Sequence, residues 1–419
     1  MAFMKTYVYW IYLQAIIGFG SRKLLKVLDV FETAENFYNA SYNEKINSKL
    51  FDKNEIARIN NYEIESAYKI IDKCDKLGYK IITPDHDCYP SRLKHIINPP
   101  SVLYVKGTMP DIDDEVAVAI VGTRKASDYS RALAYELSER LARAGAVIVS
   151  GGAVGIDTSA HSGALSAKGK TVAVLGCGLN YNYLASNEML RQDIAENGAL
   201  ITEYTPDYPA YGYNFPSRNR IISGLCLGTV VVEAGQGSGA LITVDHALEQ
   251  GRDIFVIPGD LSSKRYIGSN RLIRDGAKIT TSPLDILEEY THIYPHRINI
   301  EGCGEMLQGK GKYQPEVREN IYPEEPKSPK KATAKQPQKE TKIIVSEEKS
   351  ISLKPNNAVS GLSDNAMELY LAFSKPEMTF DELVEVSELN VNDALAAATE
   401  LEISGVAEAL PGGRYKICL

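Results

Sequence analysis

Short glycine-containing segments follow two apolar runs of the sequence, an arrangement in which a protein backbone can hold a phosphate. Gly122-Thr123-Arg124 follows the run 116–121, and Gly151-Gly152 follows the run 146–150. A glycine permits close approach of a ligand, a helix start offers free N–H groups, and arginine grips phosphate with a forked guanidinium. For Gly122 to Arg124 the alternative is a tight turn with a surface arginine, and the residues alone favour neither.

The segment at Gly151 departs from a dinucleotide-binding loop. Ser150 stands where the first glycine of G-x-G-x-x-G belongs, and no acidic residue occurs between 158 and 187 to hold a ribose. We therefore expect a phosphate-binding loop, no nicotinamide and no other cofactor. Asp157 and His161 lie four residues apart and could be metal ligands, but no third ligand is near in sequence. A local hydrogen bond is the simpler interpretation, so we predict neither a metal site nor a catalytic residue.

The string Phe215-Pro216-Ser217-Arg218-Asn219-Arg220 follows a tyrosine-rich stretch. Aromatic faces stack on bases while arginine neutralises phosphate, which is how single strands are held without base reading. The alternative is a solvated arginine pair with Asn219 as a turn residue. A third glycine segment, Glu233–Ala240, contains Gly237, Ser238 and Gly239 and has the composition of a wide anion-binding loop.

The elements around these segments indicate an α/β fold. Apolar strand-like runs alternate with helical stretches through residues 61–290, which predicts a parallel sheet whose loops converge beyond the carboxyl ends of its strands. Residues 1–60 have helical spacing of apolar residues around a Gly18-Phe19-Gly20 break. That turn could present N–H groups to a phosphate, or the helices could simply pack against their neighbours. The predicted strands are 80–83, 116–121, 146–150, 171–175, 229–232 and 254–257.

The last third of the chain divides in two. Residues 324–342 contain no Val, Ile, Leu or aromatic residue, so we interpret 291–360 as a disordered linker. Residues 361–419 regain apolar spacing, with Thr379 placed to cap a helix, a further helix at Val391–Ile403 and a hairpin signal at Pro411-Gly412-Gly413. Three helices and a hairpin are typical of a winged-helix domain.

Charge separates these regions. The 419 residues carry 46 Lys and Arg against 54 Asp and Glu, a net charge of −8 that argues against nucleic acid at first sight. Residues 361–419 alone hold eleven acidic and three basic side chains, which accounts for all of it. The charge argument against nucleic-acid binding therefore applies to residues 361–419. We expect this segment to contact protein, or to compete with DNA for the basic DNA-binding site. Scattered cysteines and no apolar stretch of membrane-spanning length suggest a cytoplasmic protein without membrane contact.

Taken in order, these motifs resemble the bacterial DNA-processing protein A family, also called Smf. The chain departs from the family pattern after Gly178-Leu179, where Tyr183 is followed by Leu184 and Ala185 instead of Tyr-Pro and a basic residue. The resemblance rests on Gly122-Thr123-Arg124, Ser150-Gly151-Gly152, Phe215-Pro216-Ser217-Arg218-Asn219-Arg220, Ser238-Gly239-Ala240-Leu241-Ile242-Thr243, Pro258-Gly259 and Gly412-Gly413-Arg414-Tyr415.

The resemblance implies an extended Rossmann-like parallel-sheet core, a sterile-alpha-motif-like helical domain before it and a winged-helix domain after it. It also implies a homodimeric mediator that binds and protects incoming single-stranded DNA and loads the RecA recombinase during natural transformation and recombination, without catalysis. The nucleic-acid-binding residues that we predict are Gly122, Thr123, Arg124, Gly151, Gly152, Phe215, Arg218, Asn219, Arg220, Gly237, Ser238 and Gly239.

An enzymatic alternative remains. Glu233 beside a Gly-Ser-Gly loop also resembles the nucleotide phosphoribohydrolases of a related fold, in which a carboxylate and a glycine loop act on a nucleoside monophosphate. Release of a free base from nucleoside monophosphates, abolished by Glu233→Gln, would favour that alternative.

Overall fold

The computed structural model describes residues 6–183, 187–309, 363–373, 377–387, 389, 391–403, 406–410 and 414–417. The chain divides into two compact units, residues 1–326 and 327–419, which are described separately. Within the described ranges, no helix is both long and apolar enough to cross a membrane.

The first unit begins with a layer of short helices built around α1. Val8, Leu13 and Ile16 of α1 are fully buried, and its core extends to Tyr104 in the sheet. Ser41 and Asp52 each close a capping box at the start of a helix, which defines where the short helices begin. The helices are α1 (Thr6–Ile17), α2 (Leu24–Phe31), α3 (Ala34–Asn39), α4 (Tyr42–Asn47), α5 (Lys53–Asn61) and α6 (Ile64–Leu77).

The break between α1 and α2 packs against the core. Gly18 and Gly20 both have positive φ (82° and 63°), a conformation that favours glycine. The Gly20 N–H donates to Glu203 Oε2 at 3.0 Å, and Asn98 Nδ2 donates to the Gly20 carbonyl at 3.1 Å. The Gly20 N–H is therefore already bonded to a carboxylate of the protein itself. This geometry agrees with the alternative in which the helices pack against their neighbours, and not with phosphate binding at the turn.

A nine-stranded sheet follows, in the order β1-β2-β6-β5-β4-β3-β7-β8-β9. In this order across the sheet, the seven strands β6, β5, β4, β3, β7, β8 and β9 are parallel to one another. At one edge, β1 is antiparallel to β2, and β2 is antiparallel to β6. The predicted α/β class with a mostly parallel sheet is thus confirmed. The strands are β1 (Lys80–Ile82), β2 (Leu103–Gly107), β3 (Ala117–Val121), β4 (Val147–Ser150), β5 (Thr171–Val174), β6 (Gly198–Thr202), β7 (Gly228–Val231), β8 (Asp253–Val256) and β9 (Lys278–Ile279).

Helices cover both faces of this sheet. Alternate residues of β3 enter different cores: Ala119 and Val121 belong to one cluster, and Val118 and Ile120 to the other. Such double burial explains why the central strands are continuous apolar runs in the sequence. The helices are α7 (Ser91–Lys94), α8 (Asp128–Arg143), α9 (Ile156–Ser166), α10 (Glu188–Glu196), α11 (Asn214–Leu225), α12 (Gly239–Glu249), α13 (Ile267–Arg274) and α14 (Leu284–Leu287).

The packed chain continues past the predicted start of the linker at residue 291. Cys303 is 5% exposed within the core beneath the sheet, and the Tyr294 hydroxyl accepts from Arg92 at 2.7 Å. The Asn299 N–H also donates to the Ala144 carbonyl at 2.8 Å. Residues 291–309 are therefore ordered by apolar burial and hydrogen bonds, and residues 310–360 of the predicted linker lie outside the described residues.

The second unit has the winged-helix arrangement. A three-stranded antiparallel sheet in the order β10-β12-β11 packs with three helices around Leu369, Leu383 and Leu401, which are fully buried. Thr379 caps α16, as predicted, by accepting from the Glu382 N–H at 3.2 Å. The elements are α15 (Asp364–Leu371), β10 (Glu377–Thr379), α16 (Phe380–Ser387), α17 (Val391–Ile403), β11 (Ala407–Leu410) and β12 (Arg414–Ile417).

Candidate functional site

The loops after β3 and β7 meet the first turns of α11 and α12 around a cavity of about 630 Å³, which we call the edge cavity. Parallel strands bring these loops to the same edge of the sheet, and the cavity falls in the size range of ligand sites. Nine of the predicted residues line it: Gly122, Thr123, Arg124, Phe215, Arg218, Asn219, Gly237, Ser238 and Gly239.

The loop after β3 supplies an exposed cation at the rim. Arg124 places its guanidinium 5.0 Å from the centre of the Phe215 ring, and no hydrogen bond or ion pair joins its side chain to another described residue. Phe215 also packs against Tyr183, with ring centres 5.2 Å apart and planes tilted by 39°. A cation thus lies beside two neighbouring aromatic rings, a combination that suits a phosphate beside a base.

Gly122 is required by close packing beneath this loop. A Cβ atom at position 122 would lie 2.5 Å from Ile156 Cγ1 and 3.1 Å from the Glu233 carbonyl oxygen. The Thr123 N–H donates to that same carbonyl at 2.9 Å, which fixes the course of the loop toward α8. The glycine therefore positions Arg124 through its backbone.

The Gly151-Gly152 segment lies beside the edge cavity without lining it. The Asp157 carboxylate accepts from the N–H groups of Gly151 at 3.1 Å and Ala153 at 3.3 Å, so these donors are already occupied. The Arg218 guanidinium donates to the Gly151 carbonyl at 2.7 Å and to the Val174 carbonyl. The segment thus serves as an anchor for Arg218 in this structure and offers no free cradle at Gly151.

Arg218 is buried and forms the floor of the edge cavity. Arg218 is only 4% exposed. Burial lowers the pKa of its guanidinium, and the nearby Asp157 carboxylate opposes that shift. Burial likewise raises the pKa of Asp157, and the Arg218 charge opposes that shift. Arg218 therefore places a positive charge at the cavity and joins the loop after β4 to the end of β5.

Asp157 and His161 do not share a ligand. Asp157 holds the loop N–H groups, whereas His161 Nδ1 lies 2.7 Å from the Thr171 hydroxyl. Burial, and then the Arg218 charge, lower the pKa of His161 to about 3, so its imidazole is neutral near pH 7. The local hydrogen-bond interpretation of this spacing is the one that the geometry favours.

Arg220 is not part of the edge cavity, in contrast to its predicted role as a nucleic-acid contact. Its guanidinium donates to both Glu203 oxygens at 2.6 and 2.7 Å, and both side chains are 1% exposed. Residues two apart on an α-helix point in directions about 200° apart. Arg218 and Arg220 therefore face opposite sides of α11, and only the first reaches the cavity.

The basic residues that follow β8 are partly engaged with neighbouring carboxylates. Arg265 donates to Glu233 at 3.2 Å, and Arg271 and Arg274 each lie beside Asp275, at 3.5 and 3.6 Å.

Leu184 and Ala185, where the sequence departs from the family pattern, lie outside the described residues. Tyr183, which packs against Phe215, was not among the nucleic-acid-binding residues predicted from the sequence. Its position as a tyrosine in a loop that follows a strand could have indicated such a role.

Glu233, the carboxylate of the enzymatic alternative, is buried and does not line the edge cavity. It accepts from the Ser127 N–H at 3.0 Å and from the Ser127 hydroxyl at 2.7 Å, as well as from Arg265. Burial raises the pKa of Glu233, but the hydrogen bonds from Ser127, Ser130 and Arg265 together outweigh burial, and the pKa is lowered. Its observed role is to hold the start of α8, and this geometry does not favour the hydrolase alternative.

The fold and these loops define a Rossmann-like α/β protein that carries a separate winged-helix unit. Residues 80–291 match the family model of DNA recombination-mediator protein A. Residues 354–413 match the model of the DprA winged helix domain. The chain belongs to this DNA recombination-mediator protein A family, as its sequence motifs predicted.

Relatives from several bacteria support this membership. DNA processing protein DprA of Streptococcus pneumoniae is 42% identical over 204 residues, covering 49% of this chain and 72% of the relative. Protein Smf of Synechocystis is 31% identical over 420 residues, covering 97% of this chain and 98% of the relative. The X-ray structure of DNA processing protein A from Streptococcus pneumoniae has a TM-score of 0.59 and 34% identity, and the match covers 67% of this chain and 97% of that one.

Proposed function

We propose that this chain binds single-stranded DNA in the edge cavity and acts as a non-catalytic mediator of recombination. The observation that carries the proposal is the exposed Arg124 guanidinium over the Phe215 ring, with Tyr183 packed against Phe215. A single strand exposes both a phosphate for the cation and an unpaired base for the ring, whereas a duplex keeps its bases stacked inside. Membership of the family supports the same activity.

The charge distribution agrees with this proposal. The edge cavity is lined by two arginines, Arg124 and Arg218, against the single carboxylate of Asp157, which already accepts from two backbone N–H groups. The first turn of α12 also borders the cavity, with Ser238, Gly239 and Ala240 in its lining, and the positive end of the helix dipole favours an anion there. An anionic chain therefore meets net positive potential in the cavity despite the acidity of the whole protein.

Titration of labelled single strands at several salt concentrations tests the DNA-binding proposal. Arg124→Ala removes one phosphate contact, so we expect weaker binding and a slope of log affinity against log salt that is flatter by about 0.7. Phe215→Ala removes one stacking contact, worth about 1–3 kcal/mol, with little change in that slope. Arg143→Ala removes an equally exposed charge on α8, far along the helix from the cavity, and serves as the control. Unchanged affinity and slope in Arg124→Ala and Phe215→Ala would contradict the proposal.

We further propose that the chain works as a homodimer and transfers the bound strand to RecA. The family to which it belongs supports both points. RecA filament formation on strands coated with a single-strand-binding protein should be faster when this protein is present, and Arg124→Ala should slow it. Light scattering in solution measures the oligomeric state directly, and a monomer at all working concentrations would contradict the dimer.

A further inference from the structure

A second cavity of about 480 Å³ lies between the N-terminal helices and the loop that precedes α11. We call it the tyrosine cavity, because four tyrosines line it. Its volume is within the range of sites for small organic groups. The residues that line it include Ile11, Phe19, Arg58, Tyr62, Ile70, Tyr204, Tyr208 and Tyr213.

The inner wall of the tyrosine cavity is a packed aromatic cluster. Phe19 lies against both Tyr204 and Tyr208, with ring centres 4.9 and 4.8 Å apart. Tyr204 and Tyr208 stack nearly parallel, with ring centres 5.2 Å apart and planes 18° apart. This packing holds the aromatic faces in a fixed orientation, so a planar ligand would lose little free energy to reorganisation of the site.

Two tyrosines carry this aromatic surface out into solvent. Tyr211 and Tyr213 stack with ring centres 5.4 Å apart and planes 10° apart, yet they remain 46% and 67% exposed. Tyr211 also meets the inner cluster edge-on through Tyr208, with ring centres 5.8 Å apart. Exposed, parallel rings beside a cavity form the stacking platform that proteins use to hold bases of a single strand.

A cation stands at the mouth of the same cavity. Arg58, on α5, is exposed, and its guanidinium has no hydrogen bond or ion pair with any other residue in the part of the chain that the structure describes. A guanidinium beside aromatic faces supplies the charge that a phosphodiester needs. The tyrosine cavity thus repeats the chemistry of the edge cavity, a cation beside stacked rings.

The first turn of α11 separates the two cavities. Gly212, Phe215 and Arg218 line the edge cavity, whereas Tyr213 and Ser217 line the tyrosine cavity. An α-helix is about 10 Å across, which corresponds to about three nucleotides at a stacked spacing of 3.4 Å. One strand can therefore occupy both cavities by passing over the exposed Tyr211–Tyr213 pair.

We propose that the tyrosine cavity is a second nucleotide-binding site, which holds a base and a phosphate of the same single strand that occupies the edge cavity. This inference rests on the proposed function. Tyr208 and Tyr213 supply the stacking faces and Arg58 supplies the phosphate contact. The site extends the footprint of the strand from the sheet edge onto the N-terminal helical layer.

The test compares the full-length protein on oligonucleotides of about 4 and about 16 nucleotides, the range of single-strand site sizes. Arg58→Ala and Tyr213→Ala should bind the short oligonucleotide as the unmodified protein does and should bind the long one about tenfold more weakly. Lys53→Ala, on the same helix, and Tyr42→Ala, an exposed tyrosine outside both cavities, are the matched controls. Photocrosslinking with halogenated uracil in the long strand should modify Tyr208, Tyr211 or Tyr213.

The outcomes separate the two proposals. If Arg124→Ala loses affinity at both lengths while Arg58→Ala and Tyr213→Ala keep full affinity for the long strand, the second site is overturned and the edge cavity stands. If the unmodified protein binds neither oligonucleotide, both proposals fail. A length-dependent loss confined to the Arg58 and Tyr213 variants supports the second site.

Discussion

Arg220 and Glu203 form a two-point ion pair, with N–O distances of 2.6 and 2.7 Å, in which each side chain is only 1% exposed. Glu203 also accepts from the Gly20 N–H, and Gln14 donates to the Glu203 carbonyl at 3.1 Å. The pair therefore joins α11 to the N-terminal helices. An arginine that resembles a DNA contact in the sequence instead fastens two parts of the first unit together.

Removal of one partner of this buried pair should destabilise the protein. We expect Arg220→Ala to lower the free energy of unfolding by about 3–5 kcal/mol, because Glu203 would remain buried with its charge uncompensated. Chemical denaturation followed by circular dichroism measures the change. Arg297→Ala, which breaks an exposed pair with Asp114 at 3.1 Å, should cost less than about 1 kcal/mol. Arg220→Ala with unchanged stability and lost DNA affinity would instead restore Arg220 as a DNA contact.

The buried His161 should make stability depend on pH. Its pKa falls from 6.5 to about 3 in the folded protein, because of burial and then the Arg218 charge. Between pH 6.5 and 3, His161 is therefore protonated in the unfolded state and neutral in the folded state. The contribution of His161 to the free energy of unfolding is complete above pH 6.5 and is lost as the pH falls toward 3. We expect the free energy of unfolding to fall by about 1.4 kcal/mol per pH unit through this group between those values.

Comparison of pH profiles isolates the histidine. His161→Gln should show a shallower dependence of the free energy of unfolding on pH between 6.5 and 5 than the unmodified protein. His292→Gln, which removes a histidine at an exposed position, is the control whose slope is measured alongside. Equal slopes in all three proteins would show that the protonation of His161 does not distinguish the folded from the unfolded state.

Gly122 should not tolerate a side chain. A Cβ atom there would lie 2.5 Å from Ile156 Cγ1, so we expect Gly122→Ala to cost about 1–3 kcal/mol through overpacking and to displace Arg124. Among the described residues, no heavy atom beyond the neighbouring residues and the helix backbone lies within 4 Å of a Cβ atom built at Gly239, so Gly239→Ala should keep full stability. Thermal denaturation of the two variants checks this contrast, and similar melting temperatures would refute it.

Removal of residues 361–419 should leave single-strand affinity equal or higher. This segment carries eleven acidic and three basic side chains, which repel phosphate, and it lies in a compact unit separate from residues 1–326. Titration of the truncated and full-length proteins with the same single strand measures the effect. A large loss of affinity on truncation would mean that the winged-helix unit contacts DNA itself.

Much of the fold was predictable because its central strands are buried on both faces. The runs that became β3, β4 and β5 are apolar except for Ser150 and Thr171, and their boundaries agree with the structure to within one residue. Sequence reasoning missed β2 and β6, of five residues each, and β9, of two residues; β2 and β9 lie toward the two edges of the sheet. Edge pairing depends on a distant partner, such as Tyr104 opposite Thr202, and leaves a weak local signal.

The sequence by itself determined which residues reach one edge of the sheet, because glycine segments that follow parallel strands must end together. It also determined that the excess negative charge belongs to the last 59 residues. Only the tertiary structure decided which of these residues are free to meet a ligand. Asp157 occupies the Gly151 N–H, Ser127 and Arg265 hold Glu233, and Glu203 holds Arg220. The reason is physical: each of these groups is satisfied by a partner that folding brings close, and a buried, paired charge is no longer available at the surface.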